Sequence, residues 1–475
     1  MKNLIIILTG LLFSLSACKQ ENAGQKTTPP PPVKQTENVL TFVTINSPNT
    51  YYINNDKAFA GLEYDLAILF GQYLGNDTQV KFEVETSVEQ ALVRIISKKA
   101  DIAAADISVT ADRKKFVQFS TPYEDVQQQL IYNRNAVKKP PKSMKDLVGL
   151  HIVVPAGSSF VERLKALSKD NPGIMWEERN AVHSEQLLEA VANEEIQYTI
   201  ADSHLVSMLQ NYHPDLAVAF AVGEPEKIAW AFPKDGNPEL LEKANVFFEK
   251  IKKDGTLHNL VDRYHGNTKR LKPLDVKTFL LRSQTLLPKY KRLFKQAQEI
   301  TNLDWRLIAA ISYQESHWDT FNTSPTNVRG LMMLTEDTAD RMGVTDRLDP
   351  AQSIPAGAKY IKQLIDTVPD RVPEPDRIYM ALASYNIGYA HLEDARVLAQ
   401  RLGLNPDSWA DVKKTLVMLN DPNYYINAKY GYCSCGQPVI FVESIRSYYN
   451  ILSRFESPHD STQESFKIAM TDMAI

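Results

Sequence analysis

The hydrophobic pattern of this 475-residue chain changes period once, and that change divides what the chain can fold into. From Asn38 to about Gly266, short β-rich runs alternate with amphipathic helical stretches. VLTFVTINS and VKFEVETS read as strands, and GLEYDLAILFGQYLG between them reads as a helix with Leu66, Leu69, Phe70 and Tyr73 on one face. Such alternation builds an α/β domain. From about Tyr290 onward, YKRLFKQAQEITNLDWRLIAAISYQESHW, AQSIPAGAKYIKQLIDTV, DRIYMALASYNIGYAHLEDARVLAQRLG and QPVIFVESIRSYYNILSRF are all helical by period, separated by Gly, Pro or Asn breaks. The second domain is therefore expected over residues 290–455 and mostly α, with a basic connector over 268–289 and a polar tail over 456–475. A formal net charge of -4 gives no electrostatic reason to expect nucleic acid.

The first residues belong to neither domain. MKNLIIILTGLLFSLSACKQ has a basic Lys2, an apolar run from Leu4 to Leu15 and then small residues, which is the pattern of a secretory signal. Leu15-Ser16-Ala17-Cys18 resembles a bacterial lipobox, so residues 1–18 read as a lipoprotein-type signal with Cys18 as the lipidated residue. Lys19 follows the cysteine, and by resemblance to sorted lipoproteins this points to the outer membrane, with the protein anchored on its periplasmic side. Residues 19–38 are polar and broken by four prolines, Pro29 to Pro32, and are expected to be an extended tether. The remaining cysteines, Cys433 and Cys435, read as a turn with two thiols or a strained bridge across one residue.

KKADIAAADISVTADRKKFVQFSTPYEDVQQQLIY carries a strand ending in Thr110, an arginine at 113 and a Phe-Ser-x-Pro-Tyr turn. With VPAGSSFVERL, YTIADSHL and DGTLHNLVDRYHG, this segment resembles the periplasmic solute-binding proteins for polar amino acids. The resemblance implies a solute-binding domain over 39–267 with two α/β lobes, a ligand cleft, and lobe crossings near 133–138 and 222–226. It also implies that Arg113 grips a ligand carboxylate, as a planar fork of donors can. Ser158 and Ser159 would present hydroxyls and N–H groups at a helix N-terminus, and Asp202 would meet the ligand amino group. Glycine is usual in that family where Asp106 stands here, so the pocket is expected to differ from that of an amino-acid carrier.

In ISYQESHW a glutamate sits among apolar residues. Thr301 or Asn302 can cap a helix whose apolar positions include Leu307, Ile308 and Ile311, and Glu315 follows Ile311 by one turn. It should face the interior, where desolvation raises a carboxyl pKa toward the range of a general acid at neutral pH. The helix alone leaves open a buried glutamate bonded to a structural partner.

The order QESHWD, SPTNVRGLMMLT, ALASYNIGYAHLEDAR, PVIFVESIRSYY resembles the soluble lytic transglycosylase domain with its lysozyme-like fold. With the first domain and the lipobox, the whole chain resembles the membrane-bound lytic murein transglycosylase F family. The resemblance implies that Glu315 is the sole catalytic acid and base, and that Ser324 contacts the substrate N-acetyl group. Gly330 would let backbone approach the sugar, Leu331 and Met332 would line the cleft, and Tyr385 and Asn386 would complete it, with the Tyr385 hydroxyl bonding the acid. Many relatives have glutamine where Met333 stands here.

Retaining glycosidases usually employ a second carboxylate about 5 Å from the first. The nearest candidate, Asp319, lies just past the expected end of the helix. A single carboxylate implies substrate assistance, with the muramic C6 hydroxyl closing a 1,6-anhydro ring, no water added, and no metal or cofactor required. Expected partners are peptidoglycan glycan strands, a muropeptide or amino-acid ligand in the first domain, and a membrane reached through the lipid. Two rival readings remain: a solute-binding lipoprotein with a wall-binding helical domain, and a hydrolytic muramidase.

Overall fold

The structure, a computed structural model, describes residues 38–460 apart from 55–56, 76, 267–270 and 324–327. The expected signal with Cys18, the tether up to residue 37, Ser324 and the end of the tail lie outside the described residues.

Two five-stranded sheets form the two lobes of the first domain. In the first the order is Thr78–Glu85, Asn38–Ile45, Ile102–Ala103, Ala231–Pro233, Val117–Phe119, and in the second Met175–Arg179, His151–Pro155, Tyr198–Asp202, Gln128–Asn133, Leu216–Ala221. The first three strands of each are mutually parallel and the last two run antiparallel to their neighbours. Successive side chains leave a strand on opposite faces, so a sheet covered on both sides needs apolar residues at consecutive positions. Phe42 accordingly packs with Phe70, Trp230, Phe247 and Phe248 on one face, while Val43 packs with Ile95, Ala105 and Val117 on the other. In the second lobe Ile152 and Val154 enter one cluster and Val153 the other.

The chain passes between lobes through a two-stranded antiparallel ribbon of Glu124–Val126 and Glu226–Ile228. The first crossing is thus at 124–126, not at the expected 133–138; Asn133 instead ends a central strand of the second lobe. Periodicity identifies that strand but not the sheet it joins. The strand expected to end at Thr110 is only Ile102–Ala103 long. Beyond it Asp106 takes a left-handed φ of 56° and gives its N–H to the Glu63 carboxylate at 2.9 Å, which turns the chain out of the sheet.

The second domain is helical around one core. At its centre lies Trp305–Ser316, which is buried nearly all round and packs against Leu287–Thr301, Pro350–Thr367 and Gly436–Phe455. Its cap is Asp304, whose side chain accepts from the Arg306 N–H at 2.8 Å; Asn302 instead ends the preceding helix with φ 59°. Cys433 and Cys435 are joined as a disulfide.

The expected connector is a helix, Pro273–Thr285, and it belongs to this core. Val276 and Phe279 are buried there, Phe279 lies edge-on to Tyr313 at 4.6 Å, and Arg282 donates to the His317 carbonyl at 2.9 Å. Its basic residues hid an apolar face only two buried residues deep. The start of the polar tail is also docked: Ser457 accepts from the Trp305 indole at 3.2 Å, and His459 is buried with its carbonyl bonded to Gln298. A buried indole N–H needs an acceptor, and a polar segment supplies one.

The two domains share charged contacts. Asp262, on the helix Thr256–His265, pairs with Arg446 at 3.2 Å and with Lys413. Burial pushes its carboxyl up, but the Arg446 and Lys413 cations outweigh that and hold it below the usual range. On the second lobe Glu189 meets Arg454 at 2.9 Å, and Arg454 lies over the Tyr212 ring at 4.6 Å. The helix Gly436–Phe455 carries both arginines.

Candidate active site and ligand cleft

The helix Trp305–Ser316 stops because His317 and Trp318 both adopt left-handed conformations, φ 52° and 58°. Trp318 then folds back, its indole N–H donating to the Ala309 carbonyl at 2.9 Å. Glu315 occupies the last turn and is half-buried, and its carboxylate makes no hydrogen bond to another described residue. Burial alone lifts its carboxyl to about 8, and no neighbouring charge contributes. Among the described residues no structural partner bonds the Glu315 carboxylate. Asp319 lies beyond the helix, exposed, its carboxylate accepting from the Phe321 N–H at 3.0 Å.

The segment after the acid is strapped to the same helix. Ser312 and Ser316, one turn apart, both donate to the Leu331 carbonyl at 3.0 Å. Tyr385, on the helix Asp376–Ile387, donates its hydroxyl to the Met332 carbonyl at 2.6 Å. The expected bond from Tyr385 to the carboxyl of Glu315 is therefore not made, because the backbone acceptor takes the proton. Tyr385 is still close enough to feel the acid, since burial and then the Glu315 charge raise its pKa well above the usual value. Leu331 and Met332 do not line an open cleft, being 0% exposed in the core. Gly330, φ 80°, is required by its own chain, for a Cβ there would stand 1.9 Å from the Arg347 carbonyl oxygen. Asn386, next to Tyr385 in the chain, is exposed.

The structure brings Arg113, Ser158, Ser159 and Asp202 together, with Asp106, around a cavity of about 60 Å³ between the lobes. Arg113 is buried; it donates to the Ser108 carbonyl at 3.0 Å and has Glu162 at 3.4 Å. Ser158 precedes the helix Ser159–Asp170 and donates to the Pro155 carbonyl at 2.7 Å, while the Ser159 hydroxyl accepts from Gln128 at 3.0 Å. Asp202 is pushed to about 7, chiefly by burial, and one of its oxygens has no partner.

Sequence reasoning missed His204. It reaches from the second lobe to Asp106 in the first, Nε2 to Oδ2 at 2.8 Å, and stacks on His265 at 5.2 Å between ring centroids. Burial pulls the imidazole down, yet the Asp106 carboxylate outweighs that and raises it to about 10. The signal lay in YTIADSHL: a histidine two residues after the expected ligand aspartate, facing a family glycine position replaced by an acid.

The chain matches the model of bacterial extracellular solute-binding proteins, family 3, over residues 40–267 and that of the transglycosylase SLT domain over residues 292–404. A membrane-bound lytic murein transglycosylase F of Methylobacillus flagellatus is 52% identical over 469 residues, covering 99% of this chain and 98% of the relative. The chain belongs to the membrane-bound lytic murein transglycosylase F family. A further family relative, from Nitrosospira multiformis, is 44% identical over 88% of this chain and 87% of its own length. Among solved structures, an ancestral arginine-binding protein bound to arginine aligns at 26% identity and a TM-score of 0.41, covering 48% of this chain and 98% of that one. Among the described residues, no helix is long and apolar enough to cross a membrane.

Proposed function

We propose that this member of the transglycosylase F family cleaves the β-1,4 bond between N-acetylmuramic acid and N-acetylglucosamine in peptidoglycan, without water, leaving 1,6-anhydromuramoyl ends. The supporting observation is Glu315, a carboxyl raised to about 8 by burial with no second charge acting on it. At neutral pH it is protonated and can give its proton to the glycosidic oxygen as that bond breaks. The muramic N-acetyl group is assigned to support the positive centre that develops, the part that a second carboxylate about 5 Å away plays in other retaining enzymes. Glu315, now ionised, takes the proton of the same sugar's C6 hydroxyl as its oxygen closes on C1, which restores the acid. Ser324 and the exposed Asn386 are assigned to substrate contact, and the Leu331–Met332 strap with Tyr385 to holding the acid in place. Mass spectrometry of muropeptides released by the purified protein tests this. Products one water lighter than hydrolysed ones are expected, and reducing muramic ends would identify a hydrolase instead.

The first domain is assigned a wall-derived peptide or amino acid that adjusts cleavage. Arg113 would hold the ligand carboxylate and Asp202 its amino group, with Ser158 and Ser159 at the helix start. A ligand ammonium at Asp202 would restore the ionised state that burial opposes. Arg113→Ala should weaken ligand binding in calorimetry and abolish the ligand's effect on cleavage rate without changing the product. A lipid at Cys18 would anchor the protein to the periplasmic face of the outer membrane, leaving the tether to set its reach.

A further inference from the structure

Where both lobes meet the catalytic domain, a second cavity of about 490 Å³ opens, of the size that holds small ligands. It is lined by Tyr52 of the first lobe, Asn211 and Tyr212 of the second, Arg263 of the helix Thr256–His265, and Tyr379 of the catalytic domain. No single domain builds it.

Its polar groups are unspent. Asn211 is only 4% exposed, yet its carboxamide makes no hydrogen bond to another described residue and opens onto the cavity. A buried amide costs stability unless something bonds it. The hydroxyls of Tyr52, Tyr212 and Tyr379 likewise have no hydrogen-bond partner among the described residues. Of the cations on the wall, Arg306 is committed to Asp304 at 2.5 Å and Arg454 to Glu189 at 2.9 Å. The Arg263 guanidinium makes no hydrogen bond to another described residue; Asp65 lies at 3.6 Å and the Asp376 charge acts on it from a distance, which leaves its planar fork of donors for a ligand.

We infer that this junction is a second ligand site, separate from the interlobe cleft, and that it takes a sugar acid. Arg454 lies over one face of Tyr212 and Arg446 over one face of Tyr379, each at 4.6 Å, so a pyranose ring would meet the ring surface left to them, while their hydroxyls with the Asn211 amide match neutral hydroxyl and acetamido groups. Arg263 matches one carboxylate, bidentately. Glu185, also on the wall, faces Arg454 and disfavours a ligand with a second negative charge on that side.

The choice of probe rests on the chain's being a wall enzyme: N-acetylmuramic acid, with N-acetylglucosamine as its uncharged counterpart. Calorimetric titration of the intact protein should show the acid binding more tightly. Arg263→Gln should weaken the acid by about ten- to a hundredfold, the loss expected for a charge-assisted bond, and leave the neutral sugar unaffected. Asn211→Leu should weaken both sugars, whereas Arg113→Ala should change neither. Tyr379→Phe, which preserves packing, serves if Arg263→Gln lowers the melting temperature, and should weaken both sugars a fewfold. Failure of the acid to bind at millimolar concentration, or binding unchanged by Arg263→Gln and Asn211→Leu, would overturn the site. So would binding abolished by Arg113→Ala. The anhydro-product assay is independent, so a failed junction site and a failed activity assignment are distinguishable.

Discussion

In the interlobe cleft, Asp106 and His204 stand 2.8 Å apart, and the charge on each supports the charge on the other. In the catalytic domain, Glu315 has no such partner and is raised to about 8 by burial alone. The paired groups hold their ionised forms and so can clasp two lobes. The solitary group keeps its proton through neutral pH and so can give it away. Burial acts in both places, and what separates a clasp from an acid is whether a counter-charge stands beside it.

The largest effect should come from removing the solitary proton. Glu315→Gln keeps the side chain's shape and should lower murein cleavage at least ~10²-fold with the fold intact, as a turnover assay beside circular dichroism would show. Activity near the parent's would break the comparison at its catalytic end.

Breaking the pair should cost stability instead of turnover. Asp106→Asn retains a residue that tolerates left-handed backbone and removes the charge; chemical denaturation should show a loss of about 1–3 kcal/mol. The two sites also separate by pH. His204 has its folded value raised to about 10 from 6.5, so its contribution is complete below 6.5 and lost as pH climbs through about 10. The gap between parent and Asp106→Asn should narrow over that window. Glu315, raised from 4.5 to about 8, gives a contribution complete below 4.5 and lost by about 8. Thermal melts should therefore show Glu315→Gln gaining on the parent as pH rises from 4.5 to 8, and flat beyond. Identical pH profiles for the two differences would mean that burial and pairing are not acting separately.

The smallest effect is expected at Tyr385→Phe, which removes one hydrogen bond to the Met332 carbonyl. It should cost about 1 kcal/mol of stability and lower turnover modestly, without shifting the upper limb of the pH–rate profile. A shifted limb would mean that the tyrosine bonds Glu315 directly during turnover.

The division into an α/β and an α domain was legible because it rests on periodicity, and so was an inward-facing Glu315, one carboxylate among apolar residues; its proposed role as the acid came from the family resemblance. The partners were not. Nothing local says that the strand after Val126 belongs to the second lobe, since sheet membership is a long-range matter. Tyr385, Gly330, Leu331 and Met332 were placed in the right neighbourhood, but by resemblance, and the structure gives them to a backbone strap rather than to an open groove. His204 escaped because its meaning depends on Asp106, almost a hundred residues earlier.

The helix Pro273–Thr285 bears on how such an enzyme can be taken apart or assembled from pieces. Its Phe279 fills the catalytic core and its Arg282 holds the carbonyl that ends the acid-bearing helix, although the recognisable transglycosylase sequence starts only at residue 292. A fragment begun there would lack part of its own interior. The heritable unit of murein cleavage in this chain is therefore longer than its signature, and a gene fusion that joined a different binding module to it would have to carry that helix along.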